Sequence, residues 1–153
     1  MNIRSATVRD VPFIIELFRQ TVLRATAQDY NERQRTAWAA RGDNPARWQE
    51  RIATQHFLAA EQADRLVGFG SITASGYLDV LFVHHACQSQ GIATRLLAAL
   101  EAWATEQNIK AITTDASITA RPFFVRHGYR TLTEQQNKIE EKALTNYRMQ
   151  KVL

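Results

Sequence analysis

A β-like heptad that passes through a bare glycine turn straight into a periodic helix narrows the fold more than any other feature of this chain. The heptad is Tyr77-Leu78-Asp79-Val80-Leu81-Phe82-Val83, followed by His84-His85-Ala86-Cys87 and then Gln88-Ser89-Gln90-Gly91-Ile92-Ala93. Beyond the turn Ile92, Leu96, Ala99, Leu100 and Trp103 recur at i, i+4, i+7, i+8 and i+11, with Arg95, Glu101 and Glu106 off that stripe. This spacing predicts an amphipathic helix that begins at the turn. The first N–H groups of a helix have no intrahelical partner, and a turn stripped down by Gly91 and Ala93 lets a ligand reach the backbone. The segment therefore predicts an anion cradle able to hold a phosphate or diphosphate. Gln88-x-x-Gly91-x-Ala93 is a short pattern, and its weight comes from lying between a strand and a helix.

The rest of the chain fits around this unit. Residues 3–6 read as a strand, Thr7 and Asp10 offer capping oxygens, and Val11, Ile14, Ile15, Phe18 and Val22 form one apolar helix face with Pro12 in its first turns. Residues 31–53 predict a helical wall: Tyr30, Gln34, Ala37 and Trp38 share a face, Gly42-Asp43-Asn44-Pro45 breaks it, and a second piece surrounds Trp48 and Ile52. From His56 the pattern is β-like, with turns at Ala63-Asp64-Arg65 and Ser75-Gly76, which predicts an antiparallel meander ending in the Tyr77 strand. The helix from Ile92 to about Gln107 leads to a strand at Ala111–Ala116, which a strand-helix-strand crossover makes parallel to the Tyr77 strand. A short helix from Ala120 to His127 and two strands complete the order β-α-α-β-β-β-α-β-α-β-β, an α/β fold with one mixed central sheet.

A length of 153 residues with 45% hydrophobic content suits one domain, 1–153, with one sizeable core. Nineteen basic against 15 acidic residues give a net charge of +4 without any dense Lys/Arg block, which argues against a nucleic-acid footprint and for a mildly basic protein with an anionic ligand. One cysteine, Cys87, excludes an internal disulfide framework, and His56, His84, His85 and His127 lack metal-ligand spacing, so no metal is expected. The chain reaches its first strand without a charged-then-apolar leader, and no stretch approaches the roughly 18 apolar residues of a membrane span. A soluble, cytoplasmic protein that uses no membrane is the expectation.

Leu81-Phe82-Val83-His84 followed by Gln88-Ser89-Gln90-Gly91-Ile92-Ala93 resembles the acetyl-CoA motif of the GNAT (GCN5-related) N-acetyltransferases. Ile3-Arg4-Ser5-Ala6-Thr7 with Asp10 looks like that family's first strand and helix start, and Leu66-Val67-Gly68-Phe69-Gly70 like its third strand. Ala120-Arg121-Pro122-Phe123-Phe124 through His127-Gly128-Tyr129 looks like its later helix and strand, so the resemblance spans nearly the whole chain. Tyr30-Asn31 with Gln34, Ala37 and Trp38, and Asn146-Tyr147-Arg148-Met149, look like the YafP-like branch. The resemblance implies two parallel strands that splay apart to admit pantetheine. The backbones of Leu81 and Val83 would then pair with pantetheine amides, Gln88, Ser89, Gln90, Gly91, Ile92, Ala93 and Thr94 would hold the diphosphate of acetyl-CoA, and Phe124 would border the cofactor.

Acetyl transfer to an amine needs a proton acceptor for the nucleophile and benefits from a donor for the departing thiolate. Strand alternation sets Tyr77, Asp79, Leu81 and Val83 on one face, and in GNAT enzymes that face borders the acceptor. Tyr77 and Asp79 hold the positions, six and four residues before Val83, where the family often has a base. A carboxylate in a Val/Leu/Phe strand must be solvated, paired or given a task, and burial would raise its basicity. On the thiolate side the sequence departs from the family: the usual Phe-Tyr pair is Phe123-Phe124, and the usual Asn is Ser117. The donor is then Ser117, Thr119, Tyr147 or solvent, or catalysis rests on positioning and an oxyanion contact. His84 and His85 read as turn or surface residues, Cys87 as a passive small residue, and Tyr30 and Trp38 as acceptor-pocket or core aromatics.

These features predict an acetyl-CoA-dependent N-acetyltransferase acting on a primary amine by direct transfer. The acceptor is a small molecule or a protein or peptide amine, with the aromatic wall favouring a small, partly apolar one; whether the protein is a homodimer stays open. The competing class is a non-catalytic acyl-CoA-binding or regulatory protein, favoured by Phe124 and opposed by Asp79.

Overall fold

A computed structural model describes all residues, Met1–Leu153. Its seven strands are β1 (Asn2–Ser5), β2 (His56–Gln62), β3 (Arg65–Ile72), β4 (Tyr77–Val83), β5 (Ala111–Ser117), β6 (Arg130–Ile139) and β7 (Lys142–Val152). They form one sheet in the order β1-β2-β3-β4-β5-β7-β6, with β4 and β5 parallel and every other pair antiparallel. The helices are α1 (Val11–Ala25), α2 (Glu32–Ala40), α3 (Pro45–Thr54), α4 (Ile92–Glu106) and α5 (Arg121–Arg126). No helix is long and apolar enough to cross a membrane.

Three helices, not two, separate β1 from β2. Asn31 caps α2 by accepting from the Gln34 N–H, and Asn44 starts α3 by accepting from the Ala46 N–H with Pro45 at the first helical position. Between them Gly42 has a fixed job. A side chain there would overlap the Phe18 ring, and its carbonyl accepts from the Trp48 indole at 2.8 Å. Trp48, 1% exposed, then packs edge-on against Phe18 and Phe69 at 5.5 Å.

Two cores lie on the two faces of the sheet. Val11, Ile14, Phe18 and Val22 of α1 meet Trp48, Phe57, Phe69 and Val80 on one. On the other, α4 buries Ile92, Leu96, Leu97, Leu100 and Ala104 against Leu58, Val67, Ile72, Leu78 and Val83. The buried stripe of α4 is thus rotated from the predicted one: Ala99 and Trp103 flank it, and Leu97 and Ala104 complete it. Each fully buried Leu or Ile contributes about 1.5–3 kcal/mol, so this stripe fixes where the N-terminus of α4 sits.

Strict alternation along β4 does not hold. Ser71 pairs with Val80 but Ile72 pairs with Leu78, so Asp79 is the extra residue of a β-bulge. The bulge reverses the alternation: Leu78, Leu81 and Val83 join the α4 core, while Val80 and Phe82 join the core under α1. Tyr77 and Asp79 therefore do not share a face with Leu81 and Val83, contrary to the parity expectation.

Candidate active site

The site begins where β4 and β5 part. They pair only at Tyr77↔Thr113 and Leu78↔Thr114; beyond this β5 continues along β7 and β4 along β3. The His84 N–H donates to the Val67 carbonyl, so on β4 the backbone groups of His84 and Phe82 face β3, and those of Leu81 and Val83 face the gap. The Val83 carbonyl there already accepts from Gln88 Nε2 at 2.8 Å and Thr21 Oγ1 at 3.3 Å. Leu81 keeps its gap-facing groups free of side-chain partners.

Two cavities open at this gap. The larger, about 540 Å³, is lined by Leu81, Val83, Gln88, Ser89, Gly91, Ile92, Ala93, Thr94 and Phe124, together with residues of α1 and α5. Of the predicted cofactor residues Gln90 alone lies outside this lining. Ser89 and Gly91 are left-handed, at φ 64° and 78°, which bends the turn so that α4 opens onto the cavity. A Cβ at Gly91 would meet no protein atom within 4 Å, as expected of backbone left bare for a ligand. Sequence reasoning did not single out His127, whose Nδ1–H donates to the Phe123 carbonyl at 2.8 Å and whose Nε2 lies 3.2 Å from Thr94 Oγ1 on the rim. Cys87 lines this cavity as a free thiol. His84 Nδ1 accepts from the Ala86 N–H, and His85 contacts Arg24.

The smaller cavity, about 300 Å³, is walled by α2, α3, β4, β5 and the β6–β7 hairpin, and it contains Tyr77, Asp79, Tyr30 and Trp38. The two cavities share Trp38, Phe82 and Ser117, so these residues mark their junction. Asp79 Oδ2 accepts from Arg51 Nε at 3.0 Å and Gln55 Nε2 at 2.9 Å, and Oδ1 has no protein partner. Gln55 is held in turn by the Ser71 hydroxyl, and Arg51 stacks over Trp48 at 4.7 Å. The pairing side of the sequence argument describes Asp79 well, with one oxygen left for a substrate or water.

Asp115 escaped the sequence reading, although the argument applied to Asp79 fits it too: a carboxylate inside Ala111-Ile112-Thr113-Thr114-Asp115-Ala116. It accepts from Arg148 Nε at 2.6 Å, Gln135 Nε2 at 2.8 Å and the Tyr77 hydroxyl at 2.8 Å. Burial alone would raise its pKa, but these hydrogen bonds hold it below the ordinary 3.8. Burial, with Asp115 alongside, pushes the Tyr77 phenol well above its ordinary range, so Tyr77 stays protonated and its proton is committed to Asp115. Tyr30 is buried, donating to the Thr145 carbonyl at 2.6 Å and accepting from the Ile118 N–H at 2.9 Å. It thereby ties the β6–β7 hairpin to the end of β5. Trp38 packs edge-on against it at 5.4 Å.

The candidate thiolate donors separate by their partners. Thr119 spends its proton on Asp29 at 2.7 Å, and Tyr147 lies outside both cavities beneath the Arg121 guanidinium at 4.1 Å. Ser117 Oγ accepts from the Ala120 N–H at 3.0 Å, which leaves its own proton free at the junction. Phe124, 4% exposed, packs edge-on against Tyr129 at 5.2 Å and offers no polar group.

A splayed parallel strand pair with a glycine turn beneath it defines a class of protein, and comparison with known families agrees. Residues 26–153 match the family model described as acetyltransferase (GNAT) domain. The chain is 32% identical over 149 residues to the uncharacterized N-acetyltransferase YafP of Escherichia coli (strain K12), covering 97% of this chain and 94% of that one. A crystal structure of a GCN5-related N-acetyltransferase from Rhodopseudomonas palustris superposes with a TM-score of 0.95 at 31% identity, over 99% of this chain and 95% of that one. The PaiA N-acetyltransferase from Thermoplasma acidophilum, solved in complex with coenzyme A, shares the fold with a TM-score of 0.82 at 17% identity, over 99% and 98%. The chain belongs to the GNAT acetyltransferase family and is an N-acetyltransferase.

Proposed function

We propose that the chain, as one unit over residues 1–153, moves the acetyl group of acetyl-CoA directly to the primary amine of a small molecule. The observation that carries this reading is the junction: the larger cavity, which includes the glycine turn, meets the smaller one, which includes Asp79, at Trp38, Phe82 and Ser117. In the larger cavity, Gln88, Ser89 and the first N–H groups of α4 bind the diphosphate, with Gln90 kept to the turn's outer side. The gap-facing backbone of Leu81 pairs with a pantetheine amide, Val83 and Gln88 close the gap above it, and Phe124 packs beside the chain. The PaiA complex with coenzyme A supports this use of the fold.

Acetyl-CoA supplies an activated thioester carbonyl. In the smaller cavity the free Oδ1 of Asp79 takes a proton from the incoming ammonium, directly or through water, and so exposes the nitrogen lone pair. The new N–C bond forms as the C–S bond breaks, the nitrogen sheds its second proton to water to leave a neutral amide, and the Ser117 hydroxyl gives its proton to the leaving sulfur and recovers one from that water. Tyr77 and Asp115 act as positioning residues that hold β4 to β5 at the floor of the pocket. Tyr30 fixes the hairpin wall, and Trp38 forms the apolar side.

The reading is tested by steady-state thiol release against an amine panel with wild type and Asp79→Asn. The substitution keeps the shape and removes the base, so kcat/KM falls by roughly 10²–10⁴-fold with coenzyme A affinity held. Wild-type rates and pH dependence in Asp79→Asn would reduce Asp79 to a structural partner of Arg51.

A further inference from the structure

We infer that the acceptor amine carries a carboxylate, which the arginines of the smaller cavity receive. This rests on the acceptor cavity assigned above and specifies what enters it. The cavity is lined by Arg41, Arg47 and Arg51 against Asp79 and Asp115. Asp115 is already matched by Arg148, which lies outside the lining. Asp79 is matched by Arg51 through Nε alone, so the two terminal nitrogens of Arg51 have no protein partner. Arg41 and Arg47 form no ion pair and donate no side-chain hydrogen bond.

A cavity with this surplus of guanidinium disfavours a plain alkylammonium ion. It suits an acceptor whose ammonium meets Asp79 while its carboxylate meets the arginines, because a guanidinium binds a carboxylate through two parallel hydrogen bonds. The position of Arg47 points the same way. It lies in the first turn of α3, where the helix dipole disfavours a cation and no acidic residue compensates it. The volume of about 300 Å³ and the rings of Phe18, Trp38 and Phe82 limit the ligand to a small acceptor with an apolar part. A free amino acid has this pattern of charges. The N-terminus of a peptide does not, since its first carboxyl group is an amide.

The experiment compares each common amino acid with its own carboxamide, by thiol release and, independently of turnover, by calorimetric binding in the presence of coenzyme A. The best acid is expected to exceed its amide by about tenfold or more in kcat/KM and in affinity. Arg47→Ala and Arg41→Ala, both at exposed positions, should erase that preference through KM while coenzyme A binding stays unchanged; Arg47→Glu should invert it. Amides bound and acetylated as well as their acids, or a preference that survives loss of both arginines, would overturn the inference. Acid-selective, arginine-dependent binding without thiol release would sustain it and instead defeat the assigned chemistry.

Discussion

In the proposed reaction Ser117 is the side chain on which the fate of the leaving group turns, because Phe124 has no proton to give and Thr119 has committed its own to Asp29. Ser117→Ala should lower kcat by about tenfold to a hundredfold, at or below the low end of general acid–base effects, since a thiolate departs more readily than an alkoxide. Ser117→Thr keeps a hydroxyl and should retain most of the rate. Calorimetry with coenzyme A checks that neither variant disturbs the larger cavity; equal kcat for the Ala variant and wild type would hand the role to solvent. At this scale the sequence was informative where chemistry conflicts with surroundings. Asp79 stands out in an apolar strand, and Gly91 in a turn. The same conflict at Asp115 was legible but unread, while Arg51, Gln55 and Arg148 were not. They come from α3, the residue that ends it and β7, and nothing in local spacing announces that such residues will meet a strand carboxylate.

The elements followed from periodicity except where one residue was inserted. A strand alternates only while its ladder is regular, and the bulge at Asp79 shifts every side chain before it to the opposite face relative to those after it. Only the pairing partner reveals this, so Tyr77 and Asp79 were singled out while their face was misassigned. The glycine turn was readable because its cause is local. Gly91 holds φ 78°, where a side chain costs roughly 1–2 kcal/mol, and a Cβ there would project into open space beside the cavity. Gly91→Val should therefore fold with a modest loss of stability in urea yet bind coenzyme A at least about tenfold more weakly, a shift of about 1.4 kcal/mol. Calorimetry on the folded variant decides; unchanged affinity would move the diphosphate away from this turn.

Across the whole molecule, stability is tied to pH by two kinds of group. Arg4 reaches Asp10 through both oxygens, at 2.9 and 2.8 Å, and the Thr7 N–H adds a third bond at 2.8 Å, so β1 is clamped to the start of α1. The Arg4 hydrogen bonds dominate and hold the Asp10 carboxyl below its ordinary 3.8; Asp115 is held low as well. A carboxyl with a depressed pKa in the fold stabilises it above the unfolded value, and that contribution is lost as pH falls through the folded value. His56, stacked on Trp103 at 4.6 Å, is shifted the same way by burial, below its ordinary 6.5. Its unfolded form binds a proton first, so stability should begin to fall as pH drops below about 6.5. Urea midpoints measured against pH should thus show a plateau above neutrality, a shallow decline from His56 and from His85, which burial also lowers, and a steep decline below about pH 4 from Asp10 and Asp115. His56→Phe should shrink the shallow phase to the part that His85 carries, and Asp10→Asn should lower the plateau and flatten the steep one. A steep phase unchanged in both Asp10→Asn and Asp115→Asn would show that other carboxylates govern acid unfolding.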